Sequence, residues 1–293
     1  MKLGASGQLL SEIKTLEEII ILFKRYGIEN IEIWPENIPY NEGVSEISPN
    51  TYEGRNIAWA KEILKKHDIN AVCVTMPGAF DKEVSSSIEG YSSALKYAVE
   101  TASELGAKYV NHYCYYLCLN EVPDIDMLRK FMEPALRLAE EAGIILCLEN
   151  EAHDATITPE GTLAIIKAMN SKSFKTNFDA ANYYHGGQEG FPNGYEILKE
   201  HIAYVHLKNC CIYNPALRYR EENKGTAMTG VFEGKFVYYP VIREGAVNVD
   251  GLLMALKRDG YDSFCVLEPH TIPEHAEKYY EDDINYLKEK GFF

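Results

Sequence analysis

No run of about 18 apolar residues occurs in the chain, so no membrane span is expected. An apolar leader core with a small-residue cleavage site is missing too. Met1-Lys2-Leu3-Gly4-Ala5-Ser6-Gly7 passes straight into a first strand, which points to a cytoplasmic protein. Cations are scarce: the formal charge of −15 over 293 residues opposes binding to a nucleic-acid backbone, where affinity comes largely from Lys and Arg. Paired cysteines are lacking as well. The seven present (Cys73, Cys114, Cys118, Cys147, Cys210, Cys211, Cys265) are odd in number and irregularly placed, which fits a reducing compartment with most thiols buried in strands. Neither Cys114/Cys118 nor Cys210-Cys211 has the second pair that a thiolate metal site needs. With no internal repeat beyond the strand-helix period, no low-complexity tract and no linker, one domain is the simplest reading.

Hydrophobic residues, 46% of the chain, suffice for a large core. Strand-like apolar runs alternate with helix-period segments eight times. The strands are expected at Lys2 to Ser6, Asn30 to Trp34, Asn70 to Met76, Lys108 to Tyr113, Ile144 to Glu149, Phe174 to Asp179, Ile202 to Lys208 and Ser263 to Glu268. Helices are expected between them, including Leu16 to Tyr26, Pro49 to His67, Ile88 to Leu105, Pro123 to Ala142 and Gly194 to His201, with Pro273 to Lys290 last. Eight such units over this length predict a single (β/α)₈ TIM barrel spanning 1–293, with active-site groups at the carboxyl ends of the strands. A doubly wound sheet would carry a glycine-rich phosphate turn after its first strand, which Gly4-Ala5-Ser6-Gly7 does not match. The connection at about 209–247 is too long for a plain turn and is expected to act as a lid.

Four consecutive strands end alike. Glu149 follows Ile144 to Leu148, Asp179 follows Phe174 to Phe178, His206 follows Ile202 to Val205, and Glu268 follows Phe264 to Leu267. In a barrel these ends occupy one arc of the rim and can converge. Three carboxylates and an imidazole carry a formal charge of −3, which cannot persist at close quarters without a cation. One divalent ion leaves −1. The oxygen-rich donor set suits Mn²⁺, Mg²⁺ or Co²⁺, with Zn²⁺ possible, and two oxygens of a small carbohydrate could fill the open positions.

The motifs Leu148-Glu149-Asn150-Glu151, Asn177-Phe178-Asp179-Ala180-Ala181-Asn182, Val205-His206-Leu207-Lys208-Asn209 and Leu267-Glu268-Pro269-His270 resemble those of the xylose-isomerase-like TIM barrels, a superfamily of sugar-phosphate isomerases and epimerases. The resemblance implies that Glu149, Asp179, His206 and Glu268 bind the metal and that Glu149 and Glu268 are the acid/base pair of a proton transfer next to a sugar carbonyl, through an enediolate. It also implies a competing class, a lyase such as an inosose-type dehydratase or a C-glycoside-cleaving subunit. The superfamily's endonuclease members need more His and Glu ligands and a basic surface, which this chain does not offer. Where ketose epimerases carry a substrate-contacting histidine after the strand-six aspartate, this chain has Asn182. Their arginine after the strand-seven histidine is not evident either; Lys208 stands nearby.

Asn182, Lys208, His112 and Trp34 are therefore the candidate substrate contacts, with Glu32 on the same strand as Trp34. His153 and Asp154 either face the pocket or cap a turn. In the lid segment, Tyr213, Arg218, Tyr219, Arg220, Lys224, Tyr238, Tyr239 and Arg243 offer rings and cations to a substrate. A homo-oligomer is compatible with all of this.

Overall fold

The computed structural model describes residues 1–45, 48–118, 124–213, 227–232 and 235–293. Eight parallel strands close into a barrel: β1 (Lys2–Ser6), β2 (Asn30–Ile33), β3 (Asn70–Met76), β4 (Tyr109–His112), β5 (Ile145–Glu149), β6 (Phe174–Asp179), β7 (Ile202–Leu207) and β8 (Phe264–Leu267). They are ordered around the ring as β1-β8-β7-β6-β5-β4-β3-β2. This is the single (β/α)₈ barrel predicted from the alternation.

Helices pack outside because their apolar faces have nowhere else to go. Leu16–Arg25 shows how such a helix is specified. Thr15 and Glu18 form a reciprocal capping box that satisfies free N–H groups, and Leu16, Ile19, Ile20 and Phe23 are buried on one face. Each such side chain stabilises the fold by roughly 1.5–3 kcal/mol on burial, more than the cap contributes. At the bottom of the barrel Cys73, Tyr109, Cys147, Tyr204 and Val266 fill the axis, with the Tyr109 and Tyr204 rings 5.5 Å apart. A side chain at Gly4 would meet Val266 Cγ2 at 2.9 Å and Asn30 O at 3.2 Å, so only glycine lets the strands close there.

Several boundaries differ from expectation. The second helix runs only Ile57–Lys66. The chain before it is used for anchoring: the Tyr52 hydroxyl reaches Ile33 O and Thr75 O, each at 2.8 Å, and Arg55 Nη1 donates to Ile38 O. The helix expected from Pro123 starts at Ile125 with Asp124 as its cap; Pro123 lies outside the described residues. The region expected as a helix at Gly194 to His201 holds only the short helix Tyr195–Leu198 and a 3₁₀ turn. An unforeseen short helix, Ala180–His185, follows β6 directly.

The connection at 209–247 is not plain loop. Cys211–Ile212, Ala227–Phe232 and Lys235–Tyr238 pair as a three-stranded antiparallel sheet. Arg218, Tyr219, Arg220 and Lys224 lie outside the described residues. The returning end is pinned to the last helix, Pro273–Glu289, where buried Asp283 accepts the Ile242 N–H at 2.7 Å. No helix of the described residues is long and apolar enough to cross a membrane.

Burial pushes the Asp283 carboxyl up to about 8, against about 4 in an unfolded chain. The folded state therefore holds a proton that the unfolded state has lost, and stability falls as pH rises from about 4 to about 8. Asp283→Asn keeps an acceptor for Ile242 without a charge. The variant is expected to melt close to wild type at pH 5 and above it at pH 8.5 in thermal denaturation; equal midpoints at pH 8.5 would show that Asp283 imposes no such cost.

Candidate metal centre

Alternation along a strand places every second side chain inside the barrel, and the upper interior layer is polar. Asn111, Glu149, Asn177, Asp179, His206 and Glu268 are all at most 4% exposed. Glu149, Asp179, His206 and Glu268 each point one donor atom at a common point, and these four atoms lie within 4.8 Å of one another. The four strand ends named from the sequence are thus brought together by the fold.

Each is held by its neighbours. Glu149 Oε2 accepts from Asn111 Nδ2 at 2.7 Å and Asn177 Nδ2 at 3.1 Å, which leaves Oε1 to face His206 Nδ1 at 3.1 Å. Asp179 Oδ1 accepts the N–H groups of Ala181 (2.8 Å) and Asn182 (2.9 Å) and so caps the short helix. Its Oδ2 accepts no well-directed hydrogen bond among the described residues and lies 2.9 Å from the Lys208 ammonium. Asn150 ties β5 to β6 by donating to Asp179 O at 2.8 Å and accepting from Asp179 N at 2.9 Å. Glu268 Oε2 lies 3.3 Å from His206 Nδ1 and accepts from Lys208 Nζ at 2.6 Å.

Electrostatics explains how three carboxylates tolerate this proximity. Burial alone would push the His206 ring down, but Glu149, Glu268 and Glu32 outweigh it and hold its pKa well above the usual histidine range. Burial likewise opposes the Lys208 ammonium, and Asp179, Glu268 and Glu149 hold it charged. Glu268 would be raised by burial, yet His206 and Lys208 bring it well below the usual carboxylate range. Asp179 is raised, by burial first, with Lys208 opposing. A protonated histidine and a lysine supply two positive charges, as one divalent ion would. The donor chemistry fits such an ion: buried oxygens plus one ring nitrogen, with Asp179 Oδ2 lacking a directed partner.

The candidate substrate contacts divide. Lys208 is in the cluster. Asn182 borders it, donating to Asn150 O at 2.9 Å and reaching Glu149 Oε1 and Glu151 Oε1 at 3.3 Å each. His112 is not brought to the cluster: as the residue after inward-facing Asn111 it turns the other way, with Nδ1 against the Tyr91 hydroxyl at 3.1 Å and its ring on Phe174. Burial pushes its pKa down to about 3. Trp34 packs in the core and donates from Nε1 to Ser6 Oγ at 2.9 Å, so its indole N–H is already engaged. Asp154 caps a turn by accepting from Thr156 N and Oγ1, and His153 stacks edge-on against His185. In the connection after β7, Tyr239 reaches His185 Nδ1 at 2.6 Å and lies on the His270 ring. Arg243 is bound to Asp282 on the last helix.

Asn111, Asn150 and Asn177 were not singled out beforehand. Asn177 was open to inference, since it stands two residues before Asp179 and must share its face. Beside the cluster, a cavity of about 510 Å³ is lined by residues including Gln8, Glu36, Asn50 and His270. His270 Nε2 is 3.4 Å from Lys208 Nζ, so the cavity and the cluster adjoin.

The model of the family described as xylose isomerase-like TIM barrel matches residues 20–290. Among solved structures, the probable 3-DHS dehydratase AsbF of Bacillus anthracis superposes with a TM-score of 0.70 at 17% identity, covering 98% of this chain and 99% of that one. The IOLI protein with a bound zinc atom gives 0.67 at 18% identity, covering 99% and 96%. D-allulose 3-epimerase from Methylomonas sp. in complex with D-allulose gives 0.66 at 16%, covering 99% and 97%. No curated protein matches the sequence.

Lys208→Met removes the ammonium from between Asp179 and Glu268. Breaking a buried pair by deleting one partner costs about 3–5 kcal/mol. Urea unfolding of chelator-treated protein at pH 7.5 should show a loss of that order, shrinking at pH 5 as the carboxylates take up protons. An unchanged midpoint at pH 7.5 would mean that the ammonium does not hold the cluster together.

Proposed function

Since the chain belongs to the xylose isomerase-like TIM barrel family, we propose that it is a divalent-metal-dependent isomerase or epimerase of a sugar or sugar phosphate. The observation that carries this reading is the convergence of one donor atom each from Glu149, Asp179, His206 and Glu268 within 4.8 Å. These four residues would hold the ion: Mn²⁺, Mg²⁺ or Co²⁺ by donor type, with Zn²⁺, bound by the IOLI neighbour, also compatible. A bound divalent ion supplies the Lewis acidity that lowers the pKa of a C–H next to a carbonyl.

Glu149 and Glu268 are the acid/base pair, one removing the proton and the other returning it. They come from strands separated by β6 and β7, and both face His206 Nδ1, at 3.1 and 3.3 Å. They therefore approach one point from different directions, as delivery of a proton to a second face or a neighbouring carbon requires. Asn111 and Asn177 fix Glu149 so that Oε1 stays directed at the centre. Lys208 pairs with Asp179 and Glu268; a divalent ion held by those carboxylates would take over their charge, and the ammonium would then be free to bind a substrate oxygen beside His270. Asn182 borders Glu149 and supplies an amide to a hydroxyl. A small carbohydrate suits this site, as D-allulose does for the Methylomonas neighbour. The segment at 209–247 is the proposed lid, and among its described residues Tyr239 contacts His185 and His270.

One observation favours the lyase reading. Glu151, two residues after Glu149, is pushed well above the usual carboxylate range by burial and by Glu149. A carboxyl that keeps its proton can protonate a departing hydroxide or aglycone.

Chelator-treated protein reloaded with Mn²⁺ and incubated in D₂O with ketoses, inososes or 3-keto-glycosides separates the two. Deuterium incorporation with no water or aglycone lost, abolished again by chelation, is the expected result. Release of either product indicates the lyase, and exchange that survives chelation removes the metal from the account. Glu149→Gln and Glu268→Gln should each lower exchange at least about 100-fold, as loss of a positioned acid or base does.

A further inference from the structure

Behind the His206 ring lies a carboxylate that the proposed chemistry does not use. Glu32, on β2, is fully buried, and its Oε2 is 2.8 Å from His206 Nε2. The Tyr204 hydroxyl donates to the same oxygen at 2.8 Å, and Thr75 Oγ1 donates to Oε1 at 2.8 Å. These donors come from β7 and β3, so Glu32 is tied across the barrel interior. The pairing of β2 with β3 shifts register between Ile31 and Glu32, an irregularity of the kind that re-aims a side chain.

The imidazole is therefore held edge-on between two sets of carboxylates. Its Nε2 meets Glu32, while its Nδ1 meets Glu149 and Glu268. The ring separates Glu32 from the four-donor point, so Glu32 acts through the ring. A carboxylate accepts hydrogen bonds and a neutral imidazole has one donor and one acceptor nitrogen. Without an ion the protonated ring donates from both nitrogens; a divalent ion would take the place of the Nδ1 proton, and the proton left to the neutral ring is the one donated to Glu32.

We propose that Glu32 is a positioning residue that holds His206 with its proton on Nε2 and its Nδ1 lone pair directed at the divalent ion. This rests on the divalent-ion reading of the cluster. A carboxylate behind a metal-ligating histidine orients the ring and strengthens it as a donor, and losing such a partner typically weakens metal binding 10- to 100-fold. Tyr204 and Thr75 set where the carboxylate stands. Without them Glu32 could rotate away from Nε2.

The test uses the full chain, stripped with a chelator and titrated with Co²⁺ by calorimetry. Glu32→Gln keeps the side chain's volume and can still pair with Thr75, Tyr204 and His206, but lacks the charge. It is expected to bind Co²⁺ 10- to 100-fold more weakly than wild type, with the metal-free melting midpoint and near-ultraviolet dichroism little changed. In Zn²⁺-loaded wild type, long-range ¹H–¹⁵N correlations of the His206 ring should place the proton on Nε2. Should Glu32→Gln fail to fold, the Thr75→Val/Tyr204→Phe double variant leaves the carboxylate but removes two of its three donors, and a several-fold loss of Co²⁺ affinity is expected. Unchanged affinity in the variant that folds, or a proton on Nδ1 in the Zn²⁺-loaded wild type, overturns the proposal. A wild-type chain that takes up no Co²⁺ overturns this and the metal reading together. Tight wild-type binding with an unaffected variant overturns this inference alone.

Discussion

Three carboxylates buried around one point demand positive charge, and the upper half of the barrel is arranged around that demand. Desolvation disfavours every charged form there, yet the groups cannot escape by moving to the surface, since each is fixed at the end of a buried strand. In the described structure the compensation is local: a protonated His206 and the Lys208 ammonium lie among Glu149, Asp179 and Glu268. An internal compensation of two charges is also what a divalent ion provides. The site is thus held shut by groups whose role an ion can assume, and that exchange would free Lys208 for another partner.

The barrel supplies the geometry through its two-residue alternation. Below the ligands, the same faces carry the packed layer of Cys147 and Tyr204; level with and behind them stand Asn111, Asn177 and Glu32. Strand ends are therefore positioned by a core that is continuous with the site. Asn150 and Asp179, joined through two hydrogen bonds, show the same economy: one side chain both completes a strand end and aims the neighbouring carboxylate. The small antiparallel sheet beyond β7 is attached from outside, by Asp283 at Ile242 and by Tyr239 at His185.

Much of this could be read from the chain. Strand-like runs that stop at Glu149, Asp179, His206 and Glu268 announce both the strands and what stands at their ends, because an ionisable group at the end of a largely buried strand needs a partner. Less legible were residues whose side of the strand matters more than their type. His112 ends an apolar strand as the ligands do, but Asn111 takes the inward position, so the histidine goes to Tyr91 in the helical layer. Trp34 has the size of a sugar platform and is instead a core side chain with its indole N–H on Ser6. The sheet at 211–238 escaped notice because its strands are short and its pairing is set by tertiary contacts. Glu32 was visible only as an acid within a short strand; its contact with a histidine 174 residues away depends on barrel closure, which no local pattern encodes.

The most direct measurement is a crystal structure of the Mn²⁺-soaked protein with data collected to reveal manganese anomalous scattering. The account predicts one strong anomalous peak within bonding distance of Glu149, Asp179, His206 Nδ1 and Glu268, with the Lys208 ammonium moved off Asp179 and Glu268. An empty anomalous map, with Lys208 still seated between those two carboxylates at millimolar Mn²⁺, would contradict it.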